Sequence, residues 1–296
     1  MTLHASVSVV IPTMAAKERE LPLRRAIQSI RRSTTATVKI IVVVNGARAD
    51  PEICKWLSTQ PDVQYERLPT PSLPLAVCRG RELVQTPFFS FLDDDDEYLC
   101  GGTDLKLAAL SSHSDADLVI SSGFRHYEGN DEPIMAPLDH VPSAPLKSLF
   151  QYNWLCSCNA LFRSDSFLPE FFAEPHPYAE WTWLAYKLAL MGKKLASINQ
   201  ATFRINNTPD SLSKSDSYFD AYQSLYRRML ALMPPADIAR LIRIRMSADW
   251  HDQSVRALLR GERLQAINLH LKSLMLPSGL QYLPYTRRLM PPWSSK

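Results

Sequence analysis

The chain has 296 residues, of which 46% are hydrophobic and 21% charged, the composition of an ordinary globular protein. Its net charge of +3 is too small to indicate a nucleic-acid-binding protein, so we expect no nucleic acid among its partners. No apolar run approaches the roughly 20 residues that cross a bilayer, and the first residues lack the basic segment of a secretory signal. We therefore expect a cytoplasmic protein.

The five cysteines are scattered along the chain. Their odd number and irregular spacing do not indicate a disulfide framework, and a cytosolic protein is expected to keep them reduced. The pair Cys156 and Cys158 lacks a second pair and a histidine at zinc spacing, so no zinc site is predicted.

Strands and helices alternate in the first third of the chain. The β-branched runs 7–11 and 39–44 predict buried strands, the first stopped by Pro12, and residues 63–68 predict a third strand. This alternation is typical of a mostly parallel sheet with right-handed crossovers. The intervening helices are predicted at residues 21–32, 51–59 and 75–84.

Four consecutive aspartates, Asp93 to Asp96, follow directly after the apolar run 88–92. Such a run is buried on both faces in a parallel sheet, which places the aspartates at the carboxyl end of a strand, where open α/β sheets bind ligands. Neighbouring carboxylates raise one another's pKa. A divalent cation shared with a diphosphate would relieve their repulsion, and Mg²⁺ or Mn²⁺ suits such oxygen ligands. The alternative interpretation is an aspartate-rich N-cap of the following helix.

The remaining sequence predicts more α/β structure and then helices only. Strands are expected at 116–121, 155–162 and 194–203, and a loop or lid at the Pro- and Asp-rich segment 128–145. The predicted domains are 1–215, an α/β domain, and 216–296, a C-terminal α-helical extension. Helices are predicted at 104–112, 178–191, 236–250, 252–260 and 264–275.

Four segments in this order resemble the family 2 glycosyltransferases, which have the GT-A fold: residues 7–13, 26–30, 40–46 and 91–96. The likeness covers residues 5 to about 100 well and 150–215 more loosely. It implies that residues 1–215 are a GT-A-like α/β domain with a mostly parallel central sheet, which binds a nucleotide sugar and is catalytic. It also implies metal-assisted, inverting transfer of a sugar, as in polysaccharide biosynthesis, from a nucleoside diphosphate donor, favoured as UDP-linked, to a glycan or lipid-linked acceptor.

The resemblance implies a nucleotide site at the ends of the first strands. Pro12 and Thr13 would lie beneath the nucleoside, although Pro12 can equally be a strand terminator. Asn45 stands where the family often has an acidic residue facing the base, and an amide can donate and accept hydrogen bonds. The family's Arg-Asn-x-Gly signature is only partly kept, so that either Arg79 or Arg81 binds the diphosphate or both are solvated helix residues.

The family's D-x-D motif maps onto the aspartate run. Asp95 would be the direct ligand of Mg²⁺ or Mn²⁺, and Asp93 would hold the ribose or a metal-bound water. Asp94 or Asp96 would lie behind them and support the site. Farther along, Asn206 replaces a histidine that approaches the metal or diphosphate in the family.

Glu180 is the candidate catalytic base, because inverting transfer needs a carboxylate that takes the acceptor's proton. The family usually has an acidic pair here, followed by a Leu-rich stretch and Gly-Lys, but Trp181 replaces the second acid. Three interpretations are open: Glu180 is the base, it is a favourable charge at a helix N-terminus, or the site has lost its chemistry. Trp181 and Trp183 either stack on a sugar or belong to the core.

The C-terminal region is basic. Its arginines either attract anionic lipid headgroups, giving peripheral contact with the inner face of the membrane, or belong to a solvated helical face that packs on the catalytic domain. The arginines concerned are Arg240, Arg243, Arg245, Arg256, Arg260 and Arg263.

A non-catalytic glycosyltransferase relative that binds nucleotide or scaffolds an assembly is the main alternative function. A sugar-phosphate nucleotidyltransferase is disfavoured because residues 11–20 contain no glycine.

Overall fold

The computed structural model describes residues 7–134, 137–207 and 216–290. Contacts divide the chain into two compact units, Met1–Ser211 and Leu212–Lys296. The predicted boundary after residue 215 falls at 208–215, outside the described residues.

Nine strands of the described residues form one sheet in the first unit. They are β1 (Val7–Thr13), β2 (Val38–Asn45), β3 (Val63–Leu68), β4 (Phe88–Phe91), β5 (Glu97–Tyr98), β6 (Leu118–Tyr127), β7 (Asn130–Pro133), β8 (Ala160–Arg163) and β9 (Leu195–Asn206). The order across the sheet is β3-β2-β1-β4-β8-β6-β9-β5, and β7 pairs with β6.

The long ladders of this sheet are parallel. β1 pairs in parallel with β2 and with β4, β2 with β3, and β6 with β9. The antiparallel ladders, formed by β5, β7 and β8, are short. The predicted α/β class with a mostly parallel central sheet is therefore confirmed.

Helices flank the sheet because each has one apolar stripe to bury. In α1, for example, Leu23, Ala26, Ile27 and Ile30 are buried in the core with the β-branched residues of β1 and β2. The helices of this unit are α1 (Glu20–Arg32), α2 (Pro51–Ser58), α3 (Leu73–Glu82), α4 (Gly102–Ser112), α5 (Pro145–Leu149) and α6 (Glu180–Leu190).

The second unit is helical and has its own small core, which includes Ala257, Ala266, Leu269 and Leu289. No helix among the described residues is both long and apolar enough to span a membrane. The helices of this unit are α7 (Asp216–Ala231), α8 (Ala236–Leu259), α9 (Arg263–Leu274) and α10 (Thr286–Leu289).

Three predictions about secondary structure are wrong. Pro12 does not stop the first strand, since Pro12 and Thr13 continue the ladder opposite Val43 and Val44. The predicted loop at 128–145 contains β7, which closes a hairpin with β6; its residues 135 and 136 lie outside the described residues. The two helices predicted at 236–250 and 252–260 are the single helix α8.

Candidate active site

The carboxyl ends of β1 and β4 lie side by side because the two strands are parallel neighbours. Val10 is paired with Phe91, so three residues farther along each chain Thr13 faces Asp94. The Thr13 hydroxyl donates a hydrogen bond of 2.5 Å to the Asp94 carboxylate, and both residues are buried. The predicted nucleotide-binding and acidic segments are thus joined by a direct contact.

Asn45, at the end of β2, is fixed at the same edge of the sheet. Its amide nitrogen donates to the backbone oxygen of Thr13 at 3.0 Å, and its side-chain oxygen accepts from the backbone N–H of Ser72 at 3.0 Å. Ser72 caps α3, so Asn45 connects the ends of two strands to the start of a helix. Both ends of the amide are engaged, and recognition of a base by Asn45 stays a prediction.

The four aspartates each have different surroundings. Asp93 accepts a hydrogen bond of 2.8 Å from the Ser157 hydroxyl, and Asp96 accepts one of 2.9 Å from the backbone N–H of Asn206. Arg19, which lies just before α1, places its guanidinium 2.8 Å from Asp95 and 3.5 Å from Asp94. Each carboxylate therefore has a protein partner; Asp94 and Asp96 are buried, and Asp93 and Asp95 are partly accessible.

Burial makes Asp93, Asp94 and Asp96 weaker acids than an ordinary aspartate. It raises the pKa of Asp94 to about 6, although Arg19 and the Thr13 hydroxyl act in the opposite direction. Burial also raises the pKa values of Asp93 and Asp96, and the neighbouring carboxylates raise them further. A positive charge brought to this place would favour the ionised form of all three.

The carboxylates of the acidic run could hold a cation only together with ligands from another molecule, such as a diphosphate. Among the described residues, no group of three or more His, Cys, Asp or Glu side chains is arranged to hold a metal ion. Mg²⁺ commonly uses only one or two carboxylates and completes its shell with phosphate oxygens and water. Asp93 and Asp95 can supply that number, Asp95 after separation from Arg19.

The two arginines of α3 have protein partners. Arg79 forms ion pairs of 3.0 Å with Glu66 and with Glu82, and its role at a diphosphate stays a prediction. Arg81 is buried and donates to the backbone oxygens of Ser164 and Phe167, so the interpretation that both arginines are solvated is wrong for Arg81.

Glu180 is the first residue of α6, as the sequence pattern indicates. Its carboxylate accepts a hydrogen bond of 3.1 Å from the backbone N–H of Tyr178, and burial raises its pKa. Glu180 and Asp93 line the same cleft, which is narrow, with a cavity volume of about 30 Å³. Trp183 is buried, whereas Trp181 is partly accessible and lies edge-on to Phe91 with ring centroids 5.3 Å apart.

Sequence reasoning missed two polar groups that contact the acidic run and one buried lysine. Arg19 and Ser157 contact the aspartates directly, and neither stands in a motif. Lys106 of α4 is fully buried: its ammonium lies 3.3 Å from the backbone oxygen of Cys158 and 4.3 Å from the centre of the Tyr98 ring. Burial lowers the pKa of Lys106 to about 8. The available signal was weak: one lysine among the apolar residues of a predicted helix.

The fold is shared with solved structures of S. aureus TarS. The structure of TarS 1–349 in complex with UDP-GlcNAc has a TM-score of 0.65 and 13% identity, covering 91% of this chain and 80% of that one. TarS 1–349 alone gives 0.63 and 16%, covering 92% and 81%. The complex with UDP gives 0.54 and 13%, covering 91% of both chains. At these identities the likeness establishes the fold, and it confirms the predicted GT-A architecture.

A comparison with curated proteins gives no match. The family model described as glycosyl transferase family 2 matches residues 8–167, which include the aspartate run and the first four strands. This match covers more than half of the chain, and the protein therefore belongs to glycosyl transferase family 2.

Proposed function

We propose that this protein transfers a sugar, with inversion, from a UDP-linked donor to a hydroxyl group of a glycan or lipid-linked acceptor. Membership of the family supports a glycosyltransferase. The complexes of S. aureus TarS with UDP-GlcNAc and UDP support a uridine nucleotide. The observation that carries the proposal is that Asp93 of the acidic run and the candidate base Glu180 line one cleft.

Each residue of the candidate site has a task in a single displacement. Thr13 and Asn45 lie where the nucleoside would bind, at the adjoining ends of β1 and β2. Asp93 and Asp95 would hold Mg²⁺ or Mn²⁺, which neutralises the charge of a leaving diphosphate. The Glu180 carboxylate would take the proton from the acceptor hydroxyl as the oxygen attacks the sugar. Burial of Glu180 raises its pKa and so makes it a stronger base.

Replacement of Asp95 tests the proposal. We expect Asp95→Ala to abolish turnover in a donor panel of UDP-sugars, measured as UDP release, while circular dichroism shows a folded protein. Asp115→Ala is a matched control, because Asp115 is exposed and pairs only at the surface with Lys194, 3.2 Å away. Full activity of Asp95→Ala would refute the assignment.

A second candidate function is a nucleotide-binding protein or scaffold without catalysis. The pairing of Arg19 with Asp95 favours it, because a protein cation already balances part of the acidic run. Trp181 in place of an acid also favours it. Calorimetry with UDP and Mn²⁺ separates the two: binding without turnover of any donor in the panel would support the scaffold.

Peripheral contact with a membrane also belongs to the proposal. The second unit exposes large apolar side chains close in sequence to arginines: Leu259 and Leu264, which are 82% and 85% exposed, flank Arg260 and Arg263. Apolar and cationic side chains together are typical of helices that lie on anionic membranes. Co-sedimentation with vesicles containing phosphatidylglycerol tests this contact, and vesicles of phosphatidylcholine are the control.

A further inference from the structure

Two of the five cysteines lie against each other beside the acidic run. The sulfur atoms of Cys156 and Cys158 are 3.9 Å apart, and all five cysteines of the chain are free thiols. The sulfur atoms of a disulfide are about 2 Å apart, so a bond between these two requires an approach of roughly 2 Å. A side-chain rotation combined with a small shift of the intervening turn provides a movement of this size.

The two thiols differ in their access to solvent. Cys156 is partly accessible, whereas Cys158 is fully buried. Burial and the contact with Cys156 raise the pKa of Cys158, so Cys158 is a poor nucleophile toward a reagent in solution. Exchange with such a reagent therefore begins at Cys156. Cys158 is placed for a second step inside the protein, because its sulfur already touches that of Cys156.

A buried lysine gives this pair a positively charged neighbour. The ammonium of Lys106 lies 3.3 Å from the backbone oxygen of Cys158. Burial lowers the pKa of Lys106 to about 8, and negative charge on either thiol acts in the opposite direction. By the same interaction Lys106 stabilises a thiolate at Cys156 or Cys158, and the thiolate is the reactive form of a cysteine.

Ser157, the residue between the two cysteines, connects the pair to the acidic run. Its hydroxyl donates a hydrogen bond of 2.8 Å to Asp93. The backbone on both sides of Ser157 is held by other groups: the N–H of Cys156 donates to the side chain of Asn159 at 3.0 Å, and the oxygen of Cys158 accepts from the buried lysine at 3.3 Å. Because both ends of this short segment are held, an approach of the sulfur atoms has to be accommodated at Ser157.

We infer that Cys156 and Cys158 are a redox-active pair, which a low-molecular-weight disulfide oxidises to an intramolecular disulfide with displacement of Ser157 from Asp93. The Cys156 thiolate attacks one sulfur of the reagent, breaks its S–S bond and releases the first thiol. The Cys158 thiolate then attacks the Cys156 sulfur of the mixed disulfide and releases the second thiol. Two electrons pass from the protein to the reagent, and the two thiol protons end on the released thiols. These steps need neither nucleotide nor metal, so they are independent of the proposed function.

Glutathione disulfide tests the exchange. Cys156 and Cys158 lie together in the tryptic peptide 148–163, and each other cysteine lies in a different peptide. After incubation, blocking of free thiols with iodoacetamide and digestion, mass spectrometry should find this peptide lighter by two hydrogen atoms and without a blocking group. Dithiothreitol should restore the reduced peptide. The inference is overturned if the peptide stays reduced while the exposed Cys100 takes up glutathione, or if glutathione remains on Cys156.

The variant Cys158→Ala separates the two steps, because it removes only the buried thiol. Exchange should then stop at the mixed disulfide, so that peptide 148–163 carries one glutathione on Cys156. Cys78→Ala, at a partly accessible site in α3, is the control and should leave the formation of the bond unchanged. Absence of glutathione from Cys156 in a Cys158→Ala variant that circular dichroism shows to be folded would also overturn the inference.

The substitution Ser157→Ala tests the displacement from Asp93. In the reduced protein it removes a hydrogen bond to a carboxylate and should lower the midpoint of urea unfolding by roughly 0.5 M. In the oxidised protein, where this contact is already lost, it should leave the midpoint unchanged. Ser111→Ala, on the exposed side of α4, is the control and should have little effect in either state. An equal shift by Ser157→Ala in both states would mean that Ser157 stays on Asp93, contrary to the inference.

Discussion

The guanidinium of Arg19 lies 2.8 Å from the carboxylate of Asp95, the residue that we propose as the direct metal ligand. It is also 3.5 Å from Asp94. Arg19 thus provides positive charge to the acidic run in the absence of any cation. A metal ion bound to Asp95 would share this carboxylate with the guanidinium, so the positive charges of Arg19 and the cation would oppose each other there.

Arg19→Ala should therefore tighten the binding of free Mn²⁺. Loss of one charge-assisted hydrogen bond worth about 1.5 kcal/mol corresponds to an increase in affinity of roughly tenfold. Titration with Mn²⁺, followed by the electron paramagnetic resonance signal of the unbound ion, measures this affinity in the absence of nucleotide.

Lys17→Ala is the control for Arg19→Ala. Lys17 is a nearby cation whose side chain is 69% exposed and pairs with Glu20 instead of with the aspartates. Its removal should leave Mn²⁺ affinity within about twofold, since exposed pairs of this kind contribute little. Unchanged or weaker binding of Mn²⁺ by Arg19→Ala would show that Arg19 does not compete with the ion.

The rate of transfer should fall as the pH is lowered through the pKa of Glu180. Burial raises that pKa above its usual value, and only the ionised carboxylate can take a proton. Glu180→Gln should reduce kcat by about 10²–10⁴-fold, the usual contribution of a general base, while UDP binding by calorimetry is kept. Glu52→Gln, at an exposed site in α2, is the control. An active Glu180→Gln variant with an unchanged pH profile would exclude Glu180 as the base.

The strands of the first α/β units were predicted well. β3 is found at its predicted residues, and β2, which contains a continuous β-branched run, is longer than predicted by one residue at each end. The short strands β5 and β7 were not predicted, because neither contains an apolar run. β5 pairs with β9, and β7 pairs with β6. The sequence of the short strands alone does not encode this pairing.

Sequence motifs predicted only part of the candidate site. The aspartate run and Glu180 were found from their positions at a strand end and a helix start. Arg19 was not, because its contact with Asp95 spans 76 residues and depends on how α1 lies on the sheet. The contact of Asn206 with this run follows from the β5–β9 ladder, which only the folded chain reveals.

Gly80 should resist substitution because α3 packs closely on β1. A Cβ atom at this position would lie 2.2 Å from the Cγ1 of Val10. Gly80→Ala should lower the free energy of unfolding by about 1–3 kcal/mol through overpacking, although alanine favours a helix by up to about 1 kcal/mol. Urea denaturation measures the change. In the Val10→Ala background the same substitution should cost less, and an equal cost in both backgrounds would contradict the packing argument.

Asp249→Asn should stabilise the protein at high pH and have little effect in acid. Burial in α8 raises the pKa of Asp249 to about 6, despite hydrogen bonds of 2.5 Å and 2.9 Å from Gln223 and Gln253. Because the pKa is higher in the folded state, the stabilising contribution is complete below the unfolded value of 3.8 and is lost as the pH rises through about 6.

The difference of about two pKa units corresponds to at most about 3 kcal/mol. Urea unfolding followed by circular dichroism should therefore show that Asp249→Asn raises the free energy of unfolding by up to about 3 kcal/mol at pH 8, with most of the gain gone near pH 4. Asp252→Asn, at an exposed site on the same helix, should change little at either pH. A gain that is equal at both pH values would mean that the charge of Asp249 is not its cause.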